Sequence, residues 1–262
     1  MASHQIWNRE GEFVVGVTIL SVTGGYRYYN PETMSQLTGD PRARYVHDTF
    51  RRIAKSYDRM NRLMTAGQDV RWRREAVRRL RLAPGERLLD LGTGTGDLGW
   101  EALRQQPAAQ LAAADFSLEM LRAGRGPLPR LCADALHLPF ADGGFDAAIS
   151  GFLLRNVADL DACLREQFRL LKPGGRIVIL ETTRPRAGLF TPFVRFHMDV
   201  VIPFVGGLVS GDREAYRYLP ASSEAFLPAE ELAVRLQAAG FRRVAYRRLM
   251  FGTIAIHWGE KI

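Results

Sequence analysis

The chain has 262 residues, 47% of them hydrophobic, with 36 lysines and arginines against 28 acids for a formal net charge of +8. That length carries one large core with appendages, and no patterning separates a second core. No stretch reaches about 18 apolar residues, which excludes a membrane-spanning helix, and the two cysteines, Cys132 and Cys163, both in apolar segments, argue against a disulfide scaffold or a metal site and for a reducing, cytoplasmic compartment.

The charge excess is nearly all arginine, the only lysines being Lys55, Lys172 and Lys261. It suits an anionic membrane surface or nucleic acid, and a GC-rich genome produces the same bias. Residues 1–45 read as an N-terminal extension of unassigned structure. Within it, 13–22 (F-V-V-G-V-T-I-L-S-V) has the composition of a strand or a signal core, but Glu10 and Glu12 precede it and no cleavage site follows, so a signal is rejected. Met34 stands just before the patterned region, which leaves residues 1–33 open to being an upstream-start extension.

From Asp40 the pattern is helical, with Asp40 as N-cap and Pro41 in the first turn. Val46, Phe50, Ile53, Tyr57, Met60 and Met64 recur at steps of three and four, one apolar stripe along an amphipathic helix, while Arg44, Arg51, Arg52, Lys55, Arg59 and Arg62 take the other faces. Such a helix covers the core or closes over a cofactor as a lid. A second helix over 69–82 carries Arg71, Arg73, Arg74, Arg78 and Arg79, either a solvated face or a surface for anionic lipid headgroups.

Residues 87–97, R-L-L-D-L-G-T-G-T-G-D, organise the rest of the chain. An apolar strand runs into a glycine turn and then a helix, a geometry that lets a ligand lie against bare backbone N–H groups. The spacing is G-x-G-x-G rather than the dinucleotide G-x-G-x-x-G. Asp90, two residues before the first glycine, would repel a pyrophosphate but suits a ligand with a cationic amino-acid end, as in S-adenosylmethionine. The next strand, 110–115, ends in Asp115, about twenty residues beyond the turn, where a ribose diol is usually held. Asp90, Gly92, Thr93, Gly94, Thr95, Gly96, Asp115, Phe116 and Met120 are therefore candidate cofactor residues.

Strand and helix continue to alternate, which predicts a parallel sheet covered on both faces. Ser117 is an N-cap for a short helix through Met120 and Leu121. A strand ends near Cys132, with Asp134 and Ala135 beyond it, and the strand 145–150 feeds Ser150 and Gly151. A helix over 159–171 stops at Lys172-Pro-Gly-Gly, and the strand 176–181 is almost wholly apolar, as a central parallel strand should be. Ligands of open sheets bind beyond the carboxyl ends of the strands, where Asp90, Asp115, Asp134, Ser150 and Glu181 all fall. Residues 183–220 leave this rhythm as an apolar insertion; 228–239 is an amphipathic helix, and 244–249 with 253–258 reads as a closing hairpin at the sheet edge.

The motifs F-R-R-I-A-K-S-Y-D-R-M-N-R-L-M (50–64), L-D-L-G-T-G-T-G-D-L (89–98), A-D-F-S-L-E-M-L (114–121), A-D-A-L-H-L-P-F (133–140), L-R-N-V (154–157), L-K-P-G-G-R (171–176) and Y-R-Y-L (216–219) resemble, in order and spacing, the menaquinone and ubiquinone biosynthesis C-methyltransferase family of class I S-adenosylmethionine-dependent enzymes. The resemblance covers about residues 45–261. It implies an α/β, Rossmann-like class I methyltransferase fold: a mostly parallel seven-stranded sheet, helices on both faces and an antiparallel last strand, all in one domain over 46–262. It further implies that Thr95, Asp115, Asp134 and Ala135 contact the cofactor, with Gly151, where the family often has serine, contributing backbone only. Where the family usually reads G-L-R-N this chain has Leu153-Leu154-Arg155-Asn156, and the leucine narrows the space beside the methyl-transfer site.

The implied substrate is a prenylated hydroquinone. Its ring carbon becomes nucleophilic once a neighbouring hydroxyl is deprotonated, which needs a general base. His197, Asp212, Tyr216 and Tyr218 are the candidates, with Arg155 and Arg217 to stabilise a phenolate and Asn156 beside them. His197 also reads as a packed core residue, Asp212 as a turn cap, and Arg155 with Asn156 as a tie between a turn and the cofactor pocket. The 183–220 insertion packs on the domain or on a second copy in a homodimer, or receives the prenyl tail at the inner face of a membrane. No metal is expected, and no N-P-P-Y motif or separate basic domain supports nucleic acid as a substrate. Two other readings stay open: a small-molecule C- or O-methyltransferase with a different substrate, and a cofactor-binding regulatory subunit without turnover.

Overall fold

The computed structural model describes residues 26–27, 41–54, 56–184, 201 and 222–262. Most of the N-terminal extension and nearly all of the 183–220 insertion lie outside the described residues. In chain order the elements are β1 (Tyr26–Arg27), α1 (Pro41–Ile53), α2 (Tyr57–Met64), α3 (Gln68–Leu80), β2 (Arg87–Leu91), α4 (Asp97–Gln105), β3 (Gln110–Asp115), α5 (Leu118–Ala123), β4 (Arg130–Cys132), β5 (Phe145–Gly151), α6 (Leu160–Leu170), β6 (Leu171–Thr182), α7 (Ala229–Ala238), β7 (Arg242–Leu249) and β8 (Ile254–Glu260). The strands form one sheet in the order β1-β4-β3-β2-β5-β6-β8-β7. Every pairing is parallel except those of β8, which runs antiparallel to both β6 and β7. Strands β2 to β8 are the expected seven-stranded Rossmann-like sheet. The two-residue β1, beside Arg130 and Leu131, adds an eighth at one edge.

Both faces of the sheet are buried, which is why its central strands read as continuous apolar runs. Leu89, Leu91, Ala112, Ala114, Ala148, Ile177 and Ile179 face α6 and α7 through Leu164, Leu170, Leu232 and Leu236. Leu88, Leu111, Ala147, Ile149, Val178 and Leu180 face α3 and α4 through Trp72, Ala76, Val77, Leu80, Leu98 and Ala102. Cys132 and Cys163 are free and buried, and burial pushes both thiols up to about 12, so they are inert apolar packing.

Three sequence expectations change. The helix expected to run unbroken through the stripe from Val46 to Met64 is two helices: Ser56 turns its N–H and its hydroxyl back to the Ile53 carbonyl, at 2.9 and 3.2 Å, and a serine that competes for the backbone in this way ends a helix. The apolar stripe survives the break, since Ile53 and Met60 remain buried against Phe50, Tyr57 and Met64.

Lys172-Pro-Gly-Gly is not a free turn. Strand β6 starts at Leu171 and bulges, so that Phe145 pairs with Leu171 and Ala147 with Arg176. Gly174, at φ +79°, donates its N–H to the Lys261 carbonyl at 2.6 Å, and the Lys261 N–H returns to Gly175 at 2.9 Å.

The arginines of α3 are not one solvated face. Arg73 is buried against Asp69, Arg79 lies 4.0 Å over the Trp258 ring, Arg79 and Arg247 share Glu75, and Arg81 and Arg243 share Glu260. Arginines on the edge strand β7 also discourage edge-to-edge pairing with other chains. No helix among the described residues is long and apolar enough to cross a membrane.

Candidate active site

The glycine loop leaves β2 at Leu91, and Gly92, Gly94 and Gly96 all sit at positive φ, +67°, +57° and +95°. Space as well as conformation excludes a side chain at two of them: a Cβ would lie 2.9 Å from Leu153 Cδ1 at Gly92 and 2.7 Å from Leu128 Cδ1 at Gly96. The loop is tied to β3 by the N–H groups of Gly92 and Thr93, which both donate to the Ala114 carbonyl. Asp90 holds it from behind. Its Oδ2 accepts from the Thr93 hydroxyl at 2.6 Å and the Gly99 N–H at 2.9 Å, while Oδ1 has no partner among the described residues. Burial pushes this carboxyl up to about 7.

A cleft of about 1150 Å³, counted with the solvent space at its mouth, crosses the carboxyl ends of β2, β3, β4 and β5. Of the expected cofactor residues, Gly92, Thr93, Gly94, Thr95, Asp115, Phe116, Met120, Asp134, Ala135 and Gly151 line it. Asp90, Gly96 and Ser150 do not: Asp90 and Ser150 are fully buried, so the expected direct contact of Asp90 with a cationic ligand end is corrected to support of the loop. Among the described residues no group of histidines, cysteines and acids could hold a metal.

The β3–β4 end of the cleft is built by main-chain groups. Asp115 Oδ2 accepts from the Gly94 N–H and Oδ1 from the Ser117 N–H, both at 2.8 Å, and burial raises its carboxyl above the usual range. Ser117 caps α5 by accepting the Met120 N–H, and Asp134 closes its own turn by accepting the Leu136 N–H at 2.9 Å. The Phe116 ring meets His47 edge-on at 5.4 Å.

At the β5 end, Phe152 stands at φ +58°, an uncommon conformation for a residue with a side chain. It is secured by its N–H to the Leu180 carbonyl and by the Asn156 side-chain amide, which donates to the Phe152 carbonyl, both at 2.8 Å. Asn156 lines the cleft as expected; Arg155 does not. The Arg155 guanidinium is buried in an ion pair with Glu181, which also accepts the Thr182 N–H. Of the two roles expected for Arg155, this ion pair fits the tie of the turn to the sheet, through Glu181 of β6. His197, Asp212, Tyr216, Arg217 and Tyr218 lie outside the described residues.

The helices before β2 close the remaining side with Val46, His47, Phe50, Tyr57 and Arg73. Their hold on the loop is through side chains. Thr95 Oγ1 donates to Asp58 Oδ1 at 2.7 Å, and Arg73 Nη1 pairs with Asp69 and lies 3.2 Å from Asp97 Oδ2. Burial pushes the Tyr57 phenol up, with the positive charge of Arg155 partly offsetting it, so its hydroxyl stays a donor near neutrality. None of Tyr57, Asp58, Arg73 or Asp97 was marked by the sequence as a site residue. Tyr57 belonged to an apolar stripe and Arg73 to a charged face, and only the Y-D-x-M-N motif signalled that this helix mattered.

The residues lining the β3–β4 end suit an adenosine: an acid held beside bare loop backbone, with Phe116 and Met120 offering apolar contact to a ring. The model described as the ubiE/COQ5 methyltransferase family matches residues 38–261. A protein of Thermus thermophilus named demethylmenaquinone methyltransferase is 47% identical over 220 residues, 81% of this chain and 99% of its own. One of Desulfotalea psychrophila named ubiquinone/menaquinone biosynthesis C-methyltransferase UbiE is 46% identical over 222 residues, 82% of this chain and 90% of its own. Among solved structures, a SAM-dependent methyltransferase of Thermotoga maritima superposes with a TM-score of 0.61 at 20% identity, covering 83% of this chain and 100% of that one. The [4+2]-cyclase SpnF superposes equally well, 0.61 at 21% identity over 84% of this chain and 97% of its own. A sheet shared by a methyltransferase and a cyclase establishes the fold, and chemistry has to be argued from the site and the closer relatives.

Proposed function

The chain belongs to the ubiE/COQ5 methyltransferase family, and from that premise we propose that it methylates a ring carbon of a demethylmenaquinol-type prenylated hydroquinone in respiratory quinone biosynthesis. That it is a methyltransferase dependent on S-adenosylmethionine and acting on a small molecule follows from the family; the ring is our reading. The observation that carries it is the naming of the Thermus relative for this substrate at 47% identity.

The cofactor, when bound, supplies a methyl group already activated on a sulfonium. The work left to the chain is to align a ring carbon with that methyl, exclude water and move protons. Loss of a proton from a neighbouring hydroxyl makes the ring carbon nucleophilic. After the carbon–methyl bond forms, that carbon loses its hydrogen as a proton and the hydroxyl is restored, so one proton leaves overall. Tyr57 and Asn156 line the cleft as polar groups, with Leu136, Leu153 and Val157 among its apolar walls. The base is sought among His197, Asp212, Tyr216 and Tyr218. A substrate with a polyprenyl tail resides in a bilayer, so this reading has the protein work in the cytoplasm, at the inner face of the membrane.

The test is methyl transfer from labelled S-adenosylmethionine to reduced demethylmenaquinone in detergent, beside a reduced demethylated benzoquinone and an Asp115→Ala control. Asp115 orders the loop through two main-chain hydrogen bonds, and its loss is expected to weaken cofactor binding by about 100-fold. Label in menaquinone that disappears in the control supports the reading. Cofactor binding with label in neither quinone overturns it and directs attention to Leu153, whose side chain fills the space beside Gly92.

A further inference from the structure

Arg73 is the arginine that lines the cleft among the described residues, and it is only 8% exposed. A guanidinium offers five N–H donors in a rigid fork. Here one nitrogen, Nη1, serves both Asp69 and Asp97, and no hydrogen bond leaves Nε or Nη2 toward any described residue. Asp69, 2% exposed, also lies 3.5 Å from Arg62 Nε, so its charge is shared between two arginines. The pair left facing the cleft is therefore Arg73 with Asp97, one cation and one anion whose charged atoms are 3.2 Å apart. Asp97 is the first residue of α4, directly after the glycine loop, and Arg73 comes from α3, which packs on β5, β6 and α4. The helix that carries Arg73 packs on the β5 and β6 side of the sheet, whereas Asp115 and Asp134 follow β3 and β4.

We propose that Arg73 and Asp97 form a clamp for a zwitterion, and that its occupant is the amino-acid end of the cofactor: the α-carboxylate on the open N–H groups of Arg73, the α-ammonium on Asp97. This rests on the S-adenosylmethionine reading of the cleft and goes beyond the glycine-loop and strand-end residues that the sequence suggested. Opposite charges already side by side can each turn to a ligand group without leaving a buried charge unpaired, because Asp69 continues to hold Arg73. The clamp assigns Arg73 and Asp97 to binding and gives α3, otherwise a packing helix, a direct contact with ligand. It also accounts for the position of the acid: Asp97 receives the ammonium from the cleft side of the loop, while Asp90 stays behind it.

Two ligands that differ only at that end separate this role from a packing role. S-adenosylhomocysteine carries the amino-acid end and 5′-methylthioadenosine lacks it. Calorimetric titration of the full chain is expected to show wild type preferring the first. Arg73→Gln weakens the first by about 10- to 100-fold, the range for a lost charge-assisted pair, and leaves the second within twofold. Asp97→Asn keeps Arg73 anchored through Asp69 and serves where Arg73→Gln fails to fold; it is expected to weaken only the first ligand, by about fivefold or more. Equal weakening of both ligands in the folded variants, or no weakening of either, overturns the clamp. Wild type binding both ligands equally overturns the clamp and leaves the cofactor reading intact, whereas binding neither removes both.

Discussion

At the β3–β4 end of the cleft the ligand surface is fixed by peptide groups. Gly92 and Thr93 hang from the Ala114 carbonyl, the Asp115 carboxylate accepts the peptide N–H groups of Gly94 in the loop and Ser117 in its own turn, and Asp134 accepts that of Leu136. At the helical end it is fixed by side chains, Thr95 on Asp58 and Arg73 on Asp69 and Asp97. Main-chain bonds within a sheet edge hold as long as the sheet does. Side-chain bonds of about 1 kcal/mol each can be released singly. One end is therefore held by the sheet itself and the other by side chains, which makes α1 and α2 the part of the molecule expected to lose order while the sheet stays folded.

The hardest way to break this contrast is at the loop itself. Gly92→Ala forces a side chain into positive φ and against Leu153, and a cost of about 2 to 3 kcal/mol in unfolding free energy is expected, read by chemical denaturation. Adding Leu153→Ala removes the contacts with Cδ1 and Cγ but leaves Leu153 Cβ at 3.0 Å and the backbone strain, so the double variant should recover only part of the loss.

A pH experiment sharpens the same point, because Asp90 is the loop's buried carboxylate. In the folded chain it keeps its proton up to about 7, whereas in the unfolded chain it ionises near 4. Between those values the folded state binds more protons, so this group's contribution to stability falls as pH rises through the window and levels off above it. A loss of about 1 kcal/mol between pH 6 and pH 8 is expected for wild type relative to Asp90→Asn, which keeps an acceptor for Thr93 and Gly99. Parallel stability curves for the two proteins would show that Asp90 does not titrate there.

The smallest effect belongs to the helical end. Thr95→Val deletes the bond to Asp58 and should cost about 1 kcal/mol locally, seen as faster amide exchange in α1 and α2 with exchange in β2 and β3 unchanged. Uniform acceleration across the sheet would mean that both ends are one cooperative unit.

The strands, the glycine turn and the acids at the strand ends were readable from sequence because each depends on local spacing: alternation of apolar runs, glycine at every second position, an acid after a strand. What a charged side chain faces was not readable in this way. Asp90 turns to Thr93 and Gly99, and Arg155 to Glu181, twenty-six residues on, and only the fold brings those partners together. Arg73 is indistinguishable in sequence from Arg71 and Arg74, which are exposed; one step around a helix separates a buried cleft residue from a solvated one. The break at Ser56 was hidden for the opposite reason, since the apolar stripe continues across it as if the helix did.

The bulge at Gly174 and Gly175 is bonded on both sides to Lys261, and β6 receives its second neighbour only from β8. During synthesis, then, a central strand with the buried run from Ile177 to Leu180 emerges with one edge open, and that edge stays open until β8 has been made. The molecule cannot be completed from its amino end. Until β8 leaves the ribosome, the nascent chain presents an unpaired strand edge, the kind of surface on which holding chaperones act and from which chains lacking β8 aggregate.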